Sequence, residues 1–309
     1  MGRGAAWLLA TLLTASLPFA ISGLSEARNA IAAIAPGRTD ADSAALLKEN
    51  RPRRIVSLNP CLDAILLEVA DDAQITALSH FSRDPEQSAV AQAARRFPVT
   101  YETAEEILLL KPDLVLASIH TAPATRRALE RMNIPVALFG VPATVEESHA
   151  QVRDVAARVG HPERGEALVR RIEAALEALR PQASDAGPPV PALILQPGGF
   201  SPGAGTLQDD LLARAGLRNV SARYGVNFWG VVRLEELVEN PPRLLLTGAD
   251  GADASAGGDR LLSHPVLKRL EGRMLASPYP RQLLYCGGPT LLEAARYLRL
   301  ARTALENAS

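Results

Sequence analysis

The feature that most constrains the fold of this chain is an alternation of short β-rich runs with helical runs, which occurs twice. It begins with RIVSL at 54–58, then Asn59-Pro60, and the helical run CLDAILLEVA. Asparagine is a favoured N-cap, and proline suits the first turn of a helix. The capping boxes Thr103-x-x-Glu106 and Thr144-x-x-Glu147 predict two further helix starts in the same region. The alternation restarts with LILQP at 193–197 and ends with RQLLYC, a predicted strand, and a last helical run. Such alternation predicts βαβ units and parallel sheets.

A long helical run separates the two alternating regions. HPERGEALVRRIEAALEALRP at 161–181 has apolar residues at helical spacing, with a proline near its start and another at its end. We therefore predict an α/β protein of two Rossmann-like lobes joined by one long helix. The predicted boundaries are 53–160 for the first lobe, 161–181 for the helix and 190–309 for the second lobe.

The N-terminus has the pattern of an export signal. Arg3 precedes an apolar stretch from Ala5 to Ile21, and Ser25-Glu26-Ala27 is a small-x-small cleavage site. We predict a signal peptide over 1–27, a poorly ordered lead-in over 28–52 and a periplasmic protein. No cysteine lies in this region, which excludes a lipoprotein anchor. The net charge of −1 gives no basic field for nucleic acid.

One sequence pattern occurs twice, about 130 residues apart: AEEILLLKPDLVLA from Ala104 and LEELVENPPRLLLTG from Leu234. In each copy a glutamate, Glu105 or Glu235, stands seven residues before a proline, and an apolar run follows. Helix-start chemistry and strand packing explain the proline and the apolar run. They explain less well the shared position of the glutamate.

These segments, with RIVSLNPCLDAILLEV, NIPVALFG, FWGVVRLEELVENPP and LYCGGPTLLEAARYL, are distributed over 53–305 in a characteristic order. The chain resembles the substrate-binding proteins of bacterial ABC importers for iron-siderophores, haem and cobalamin, of the helical-backbone class. The resemblance implies two lobes facing each other across a cleft, and docking of Glu105 and Glu235 on a permease dimer in the inner membrane. The second copy departs from the family pattern, because it has Pro-Pro-Arg where Pro-Asp is usual.

The resemblance also implies a function: capture of a corrinoid or an iron-siderophore-type complex and delivery to the permease, without catalysis. We expect a monomer with no cofactor and no resident metal, since the metal chelate is cargo. A receptor for haem or for a bare metal ion is the alternative, and an exported α/β enzyme is a weaker one. The chain lacks the H-E-x-x-H motif and the Cys-His zinc spacings that a metal-dependent enzyme would use.

Ligands of open α/β sheets bind at the carboxyl ends of the strands, so residues that follow the strands are the candidates. Aromatic residues are only 4% of this chain, so rings at strand ends suggest stacking on a flat ligand. Trp229 also matches a cleft tryptophan of cobalamin-binding members. The candidate ligand-binding residues are Asn59, Cys61, His80, Phe81, Ser82, Arg83, Tyr101, His120, Phe200, Phe228, Trp229 and Cys286.

Two candidate side chains leave their chemistry open. His80 or His120 can ligate a metal, hydrogen-bond a corrin amide or serve as a polar loop residue. Cys61 and Cys286 fall on opposite lobes, and a bond between them would need Cα atoms within about 7 Å of each other. Because such a bond would shut the cleft, we expect two free thiols.

Overall fold

The computed structural model describes residues 51–181, 187–248, 261–262, 264–270 and 272–308, except the side chain of Lys268. The predicted signal peptide and nearly all of the lead-in lie outside these residues. Over the described part of the chain, no helix has the length and apolar character that crossing a membrane requires.

The first lobe is a parallel sheet of five strands in the order β3-β2-β1-β4-β5. This is the order of a doubly wound Rossmann-like sheet. Every residue of β1 and β4 is buried, as expected for central strands covered on both faces. The strands are β1 (Ile55–Ser57), β2 (Ile75–Ser79), β3 (Val99–Thr100), β4 (Leu114–Ser118) and β5 (Val136–Phe139). The helices are α1 (Pro60–Val69), α2 (Ala91–Ala94), α3 (Ala104–Leu109), α4 (Pro123–Arg131) and α5 (Val145–Arg158).

The predicted helix starts of this lobe are confirmed. The side chain of Asn59 accepts hydrogen bonds from the backbone N–H groups of Cys61 and Leu62. Thr103 and Thr144 each accept one from the N–H three residues ahead, so α3 and α5 begin where the capping pattern predicts.

A 16-residue helix, α6 (Pro162–Glu177), follows the first lobe and packs against α5. Its length is about 24 Å at a rise of 1.5 Å per residue. The predicted apolar stripe is buried and includes Leu168, Ile172 and Leu176.

The second lobe contains a parallel sheet of four strands in the order β11-β10-β6-β8. A two-stranded antiparallel ribbon, β7 with β9, accompanies it. The strands are β6 (Val190–Leu195), β7 (Phe200–Pro202), β8 (Leu217–Asn219), β9 (Trp229–Val231), β10 (Leu244–Thr247) and β11 (Leu275–Pro278). The helices are α7 (Leu207–Arg214), α8 (Leu234–Glu239), α9 (Pro265–Lys268) and α10 (Thr290–Asn307).

One predicted strand is wrong. RQLLYC at 281–286 contains a 3₁₀ turn, Arg281–Leu283, and β11 is formed instead by the less apolar run LASP. β11 pairs with β10 along its whole length, from Leu244 opposite Leu275 to Thr247 opposite Pro278. Available pairing positions, rather than hydrophobicity, therefore decide which run becomes the strand.

The two lobes share one hydrophobic core. Its largest cluster contains Ile55 and Leu116 of the first sheet, Ile172 of α6 and Leu246 of the second sheet. Polar contacts between the lobes add to it: the N–H of Val145 donates to Asp210 at 2.8 Å, and Arg214 pairs with Glu146 at 2.5 Å. The lobes are thus in contact well beyond the single connecting helix.

Candidate functional site

Three rings form a cluster at the carboxyl ends of β2 and β3. The ring centroid of His80 lies 3.9 Å from that of Phe81 and 4.8 Å from that of Tyr101. Tyr101 is 65% exposed and Phe81 38%. The Nδ1 atom of His80 is buried and has no hydrogen-bond partner within the described structure. The first lobe therefore presents a small aromatic surface whose central imidazole has an unused ring nitrogen.

A buried polar network supports this ring cluster from below. Asp63 of α1 has no exposed surface and accepts hydrogen bonds from the N–H of Ser79 at 2.8 Å and the hydroxyl of Ser82 at 2.5 Å. The hydroxyl of Ser79 donates to Glu102 at 2.9 Å. The network fixes the turn that carries His80 and Phe81 and the loop that carries Tyr101.

Burial shifts the pKa values of both carboxyl groups in the network. It raises the pKa of Asp63 to about 8, against the hydrogen bonds that favour its charged form, so Asp63 is largely protonated at neutral pH. Burial also raises the pKa of Glu102, which adopts a φ of 67°, a conformation uncommon outside glycine.

Three of the predicted ligand-binding residues use their polar groups within the protein. The Asn59 amide oxygen caps α1 at 3.0 Å from the N–H of Cys61, and Ser82 is buried against Asp63. The guanidinium of Arg83 donates to the backbone carbonyl of Phe97. These bonds give the three residues a structural role beside the ring cluster.

His120 does not join that cluster. It lies exposed just beyond the end of β4, where its N–H donates to the hydroxyl of Ser118 at 3.1 Å. Among the residues described, it makes no ring contact.

The second lobe carries a larger stack of rings. Phe200 and Trp229 are nearly parallel, with centroids 5.1 Å apart and planes at 10°. Tyr285 continues the stack at 6.4 Å and 25° from Trp229, and Phe228 meets Trp229 edge-on at 6.4 Å. Pairing of β7 with β9 sets this arrangement, since Pro202 lies opposite Trp229.

Glycines allow the β7–β9 ribbon to form. Gly199 has a φ of 80°, and a Cβ atom there would lie 2.5 Å from the carbonyl of Val232. A Cβ at Gly203 would lie 2.7 Å from the Asn227 carbonyl group. Both positions require the absence of a side chain, because backbone meets backbone there.

Tyr285 was not among the candidate residues. It belongs to RQLLYC, the run that was wrongly predicted as a strand, and the available signal was a scarce aromatic beside Cys286. Its hydroxyl lies 3.4 Å from Nε of Arg281. That hydrogen bond raises the pKa of Arg281, and the carboxylates of Glu86 and Asp84 in the first lobe add to the effect. Tyr285 also precedes Cys286, which is bonded to Cys61 of the first lobe, so this ring of the stack lies close to that lobe.

Cys61 and Cys286 form a disulfide, which overturns the expectation of two free thiols. Their Cα atoms are 5.0 Å apart. The bond lies where the lobes also touch through a hydrogen bond: the N–H of Gly288 donates to the hydroxyl of Ser148 in α5 at 2.7 Å. As a disulfide, the pair has no thiol to offer a ligand.

The described residues contain no group of three or more His, Cys, Asp or Glu side chains placed to hold a metal ion. A cavity of 760 Å³ lies away from the rings, between α5 and α6, and its lining includes Glu146, Arg180 and Arg214. Several of these charges are already paired, Arg214 with Glu146 and Arg180 with Glu177. The rings remain the better candidate for a ligand surface.

The repeated sequence pattern forms two short helices in which the corresponding glutamates have the same exposure. α3 and α8 have six residues each, and in both the first glutamate is exposed while its neighbour is partly buried. Glu106 accepts hydrogen bonds from the Tyr101 N–H at 2.8 Å and the Thr100 hydroxyl at 3.0 Å. These bonds lower the pKa of Glu106.

The second copy repeats this division of roles. Glu236 pairs with Arg233 at 2.7 Å. Glu105 and Glu235 make no such contact with the described residues, so each lobe presents one unengaged carboxylate at the start of a short helix.

Comparisons with known proteins agree with this architecture. A vitamin B12-binding protein of Pectobacterium carotovorum is 26% identical over 268 residues, which cover 84% of this chain and 91% of the relative. The apo structure of the periplasmic haem-binding protein RhuT of Roseiflexus sp. RS-1 superposes with a TM-score of 0.66 at 25% identity, covering 83% of this chain and 98% of that one.

A third similarity concerns the fold alone. The periplasmic vitamin B12-binding protein BtuF of Vibrio cholerae has a TM-score of 0.61 at 21% identity, with 81% of this chain and 98% of that chain covered. The model of the periplasmic binding protein family matches residues 55–272, which run from β1 through the second lobe into its last third. Since that match spans well over half of the chain, the chain belongs to the periplasmic binding protein family.

Proposed function

We propose that this chain is the periplasmic solute-binding component of an ABC importer and that its cargo is a metal chelate with a flat face, a corrinoid first. The observation that carries the proposal is the pair of aromatic surfaces, one on each lobe: His80, Phe81 and Tyr101 on the first, and Phe200, Phe228, Trp229 and Tyr285 on the second. The names of relatives that bind vitamin B12 or haem support the same class of cargo.

A short chain of contacts links the two surfaces. Tyr285 neighbours Cys286, which is bonded to Cys61, and Cys61 lies two residues before Asp63, which supports the turn of His80. Aromatic rings interact with flat partners at centroid distances of about 4.5–7 Å. The rings of each lobe would therefore suit the face or the edge of a tetrapyrrole.

Haem is the second candidate, and the His80 imidazole is the observation that favours it. Imidazole nitrogen and phenolate oxygen are both axial ligands of haem iron in proteins. His80 is partly exposed, and the exposed Tyr101 ring stacks on its imidazole. The same imidazole would serve a corrinoid as a hydrogen-bonding group.

The test is titration of residues 28–309 with cyanocobalamin, haem and a ferric hydroxamate by calorimetry. Submicromolar one-to-one binding of cyanocobalamin is expected. Binding of haem alone would move the cargo to haem, and binding of the hydroxamate alone would move it to ferric siderophores. Absence of binding to all three would overturn the proposal.

The proposed partner is a permease dimer in the inner membrane, approached by a monomer. Glu105 and Glu235 support this, since they are the exposed members of two matching helices, one on each lobe. Exposed ion pairs contribute only about 0–1 kcal/mol each, so their main effect is on orientation and encounter rate.

We assign no catalysis to the chain. Two of its histidines have structural roles: His161 lies buried with Nε2 3.0 Å from Gln74, and the Nδ1 atom of His264 caps α9 by accepting from the Val266 N–H at 3.2 Å. Location in the periplasm is supported by its periplasmic relatives and by the predicted signal peptide.

A further inference from the structure

Residues 285–288, between the turn Arg281–Leu283 and α10, form a segment of the second lobe that is held by the first. We name it the crossing segment. Cys286 is bonded to Cys61 of α1, and the N–H of Gly288 donates to Ser148 of α5 at 2.7 Å. The Sγ atom of Cys61 also lies 3.6 Å from the carbonyl oxygen of Tyr285. The disulfide and the Ser148 hydrogen bond thus anchor this segment to the first lobe, and the 3.4 Å contact of the Tyr285 hydroxyl with Nε of Arg281 anchors it to the second.

The crossing segment packs so closely against the first lobe that its two glycines, Gly287 and Gly288, have no room for a side chain. A Cβ atom at Gly287 would lie 2.4 Å from the Ser148 hydroxyl oxygen. One at Gly288, which has a φ of 59°, would lie 2.7 Å from Ile65. Close backbone approach of this kind requires glycine. The segment is thus seated on α1 and α5 at two successive glycines.

The same segment supplies one ring of the second-lobe stack. Phe200 and Trp229 belong to the β7–β9 ribbon, whose position depends on second-lobe hydrogen bonds. Tyr285 stacks on Trp229, but its backbone is fixed next to Cys286. The stack therefore combines two rings placed by the second lobe with one ring placed through a covalent bond to the first.

We propose that the Cys61–Cys286 disulfide is a positioning element of the site, which holds the Tyr285 ring against Trp229 and so presets the spacing of the aromatic surfaces. The placement of the rings does not depend on any ligand. Only the predicted effect on ligand binding rests on the proposed function. Without the bond, residues 285 and 286 keep fewer anchors and the Tyr285 ring leaves the Trp229 face. Pre-organised rings spare a ligand the cost of ordering them, so loss of the bond weakens binding by about tenfold.

Trp229 provides a readout that needs no ligand. The sequence has two tryptophans, Trp7 and Trp229, and Trp7 lies in the predicted signal peptide, so residues 28–309 have a single tryptophan, which is excited selectively at wavelengths where tyrosine does not absorb. Acrylamide quenching is compared for the oxidised protein, the reduced protein and the double variant Cys61→Ser/Cys286→Ser. The temperature is kept below unfolding, and far-UV circular dichroism verifies the fold. We expect the quenching constant to rise at least twofold when the bond is absent.

Two controls separate positioning from stabilisation. Dithiothreitol is added to the double variant, where it should change nothing. Ser148→Ala removes the other anchor of the crossing segment and leaves the disulfide intact, so it tests the same placement if the double variant does not fold. It should raise the quenching constant in the same direction by a smaller factor. Unchanged Trp229 quenching in the folded reduced protein and in Ser148→Ala would overturn the inference and leave the bond a purely stabilising role.

Ligand titration separates the failure of this inference from failure of the proposed function. If the oxidised protein binds none of cyanocobalamin, haem and the ferric hydroxamate, the proposed function fails, while the Trp229 readout still decides the positioning role. If the oxidised protein binds one of them and the reduced protein binds it with the same Kd, the positioning role is overturned. A weaker Kd on reduction, together with increased quenching, supports it.

Discussion

Asp63 accepts a hydrogen bond of 2.5 Å from the hydroxyl of Ser82, although its carboxyl group is completely buried beneath the first-lobe rings. The other oxygen, Oδ1, has no hydrogen-bond partner within the described residues. Burial raises the pKa of Asp63 from its ordinary value of 3.8 to about 8. Near neutral pH, the folded protein therefore keeps a proton on Asp63 that the unfolded chain releases.

This difference makes stability depend on pH. The folded state binds the extra proton between about pH 4 and pH 8, so the free energy of unfolding should fall as pH rises through that range, by about 1 kcal/mol per pH unit. Asp63→Asn keeps an acceptor for Ser82 and cannot ionise, so its stability should be flatter from pH 5 to pH 8. Urea unfolding at each pH measures both slopes. The surface variant Glu130→Gln should retain the wild-type slope; a wild-type slope in Asp63→Asn would contradict the prediction.

The disulfide should contribute to stability as well as to the site. Cys61 and Cys286 are 225 residues apart, so the bond closes a very large loop in the unfolded chain. Reduction should lower the free energy of unfolding by about 2–4 kcal/mol, chiefly by freeing that loop. Urea unfolding with and without dithiothreitol measures the difference, and the double variant Cys61→Ser/Cys286→Ser should be insensitive to the reductant. Equal stability of oxidised and reduced wild type would contradict this role.

The site could be predicted from sequence where local chemistry determines it. Asn59, Thr103 and Thr144 cap their helices as the pattern indicates, because a cap depends only on residues two or three positions away. The aromatic residues at strand ends could also be predicted, because aromatic residues are scarce in this chain and the alternation of strands and helices indicates where the strands end.

The rest depended on tertiary pairing. LASP became β11 because β10 offered it a partner, although RQLLYC is more apolar. The Cys61–Cys286 bond depends on the crossing segment lying on the first lobe, which no spacing in the sequence reveals. The internal bonds of Ser82 and Arg83 likewise require knowledge of what lies beneath the turn.

The aromatic stack should contribute to ligand binding in proportion to its rings. Tyr285→Leu removes the ring that stacks on Trp229 while keeping an apolar side chain, and an aromatic pair contributes about 0.5–1.5 kcal/mol beyond its buried area. We expect the Kd for the bound chelate to rise by about 2- to 12-fold. Tyr297→Leu is the matched control, since Tyr297 lies on α10 beneath Arg296, away from the stack. Equal losses in both variants would mean a general effect on folding.

Ligand binding should change the overall dimensions little. The lobes share a hydrophobic core, a disulfide and several polar contacts besides α6, so a wide hinge motion would break buried packing. Small-angle scattering of the free and loaded protein should show no clear compaction. A large decrease in the radius of gyration on loading would contradict the shared core as the limit on closure.

Loss of the exposed glutamates, Glu105 and Glu235, should reduce transport without weakening ligand binding. Glu105→Gln and Glu235→Gln remove one negative charge each from α3 and α8, while Glu106 and Glu236 keep their internal partners. Neither residue contacts the rings, so the Kd for the chelate should remain unchanged in both variants and in the double variant. Uptake by vesicles that contain the cognate permease should fall in each single variant and further in the double variant, because two carboxylates on separate lobes orient the protein on a two-fold partner.

Higher salt should reduce uptake more for the wild type than for the double variant, since exposed charges are screened. Glu130→Gln, an exposed glutamate on α4, should transport as the wild type does. Normal uptake by the double variant would show that docking uses another surface, and a parallel loss of ligand binding would show that the substitutions disturb the lobes themselves.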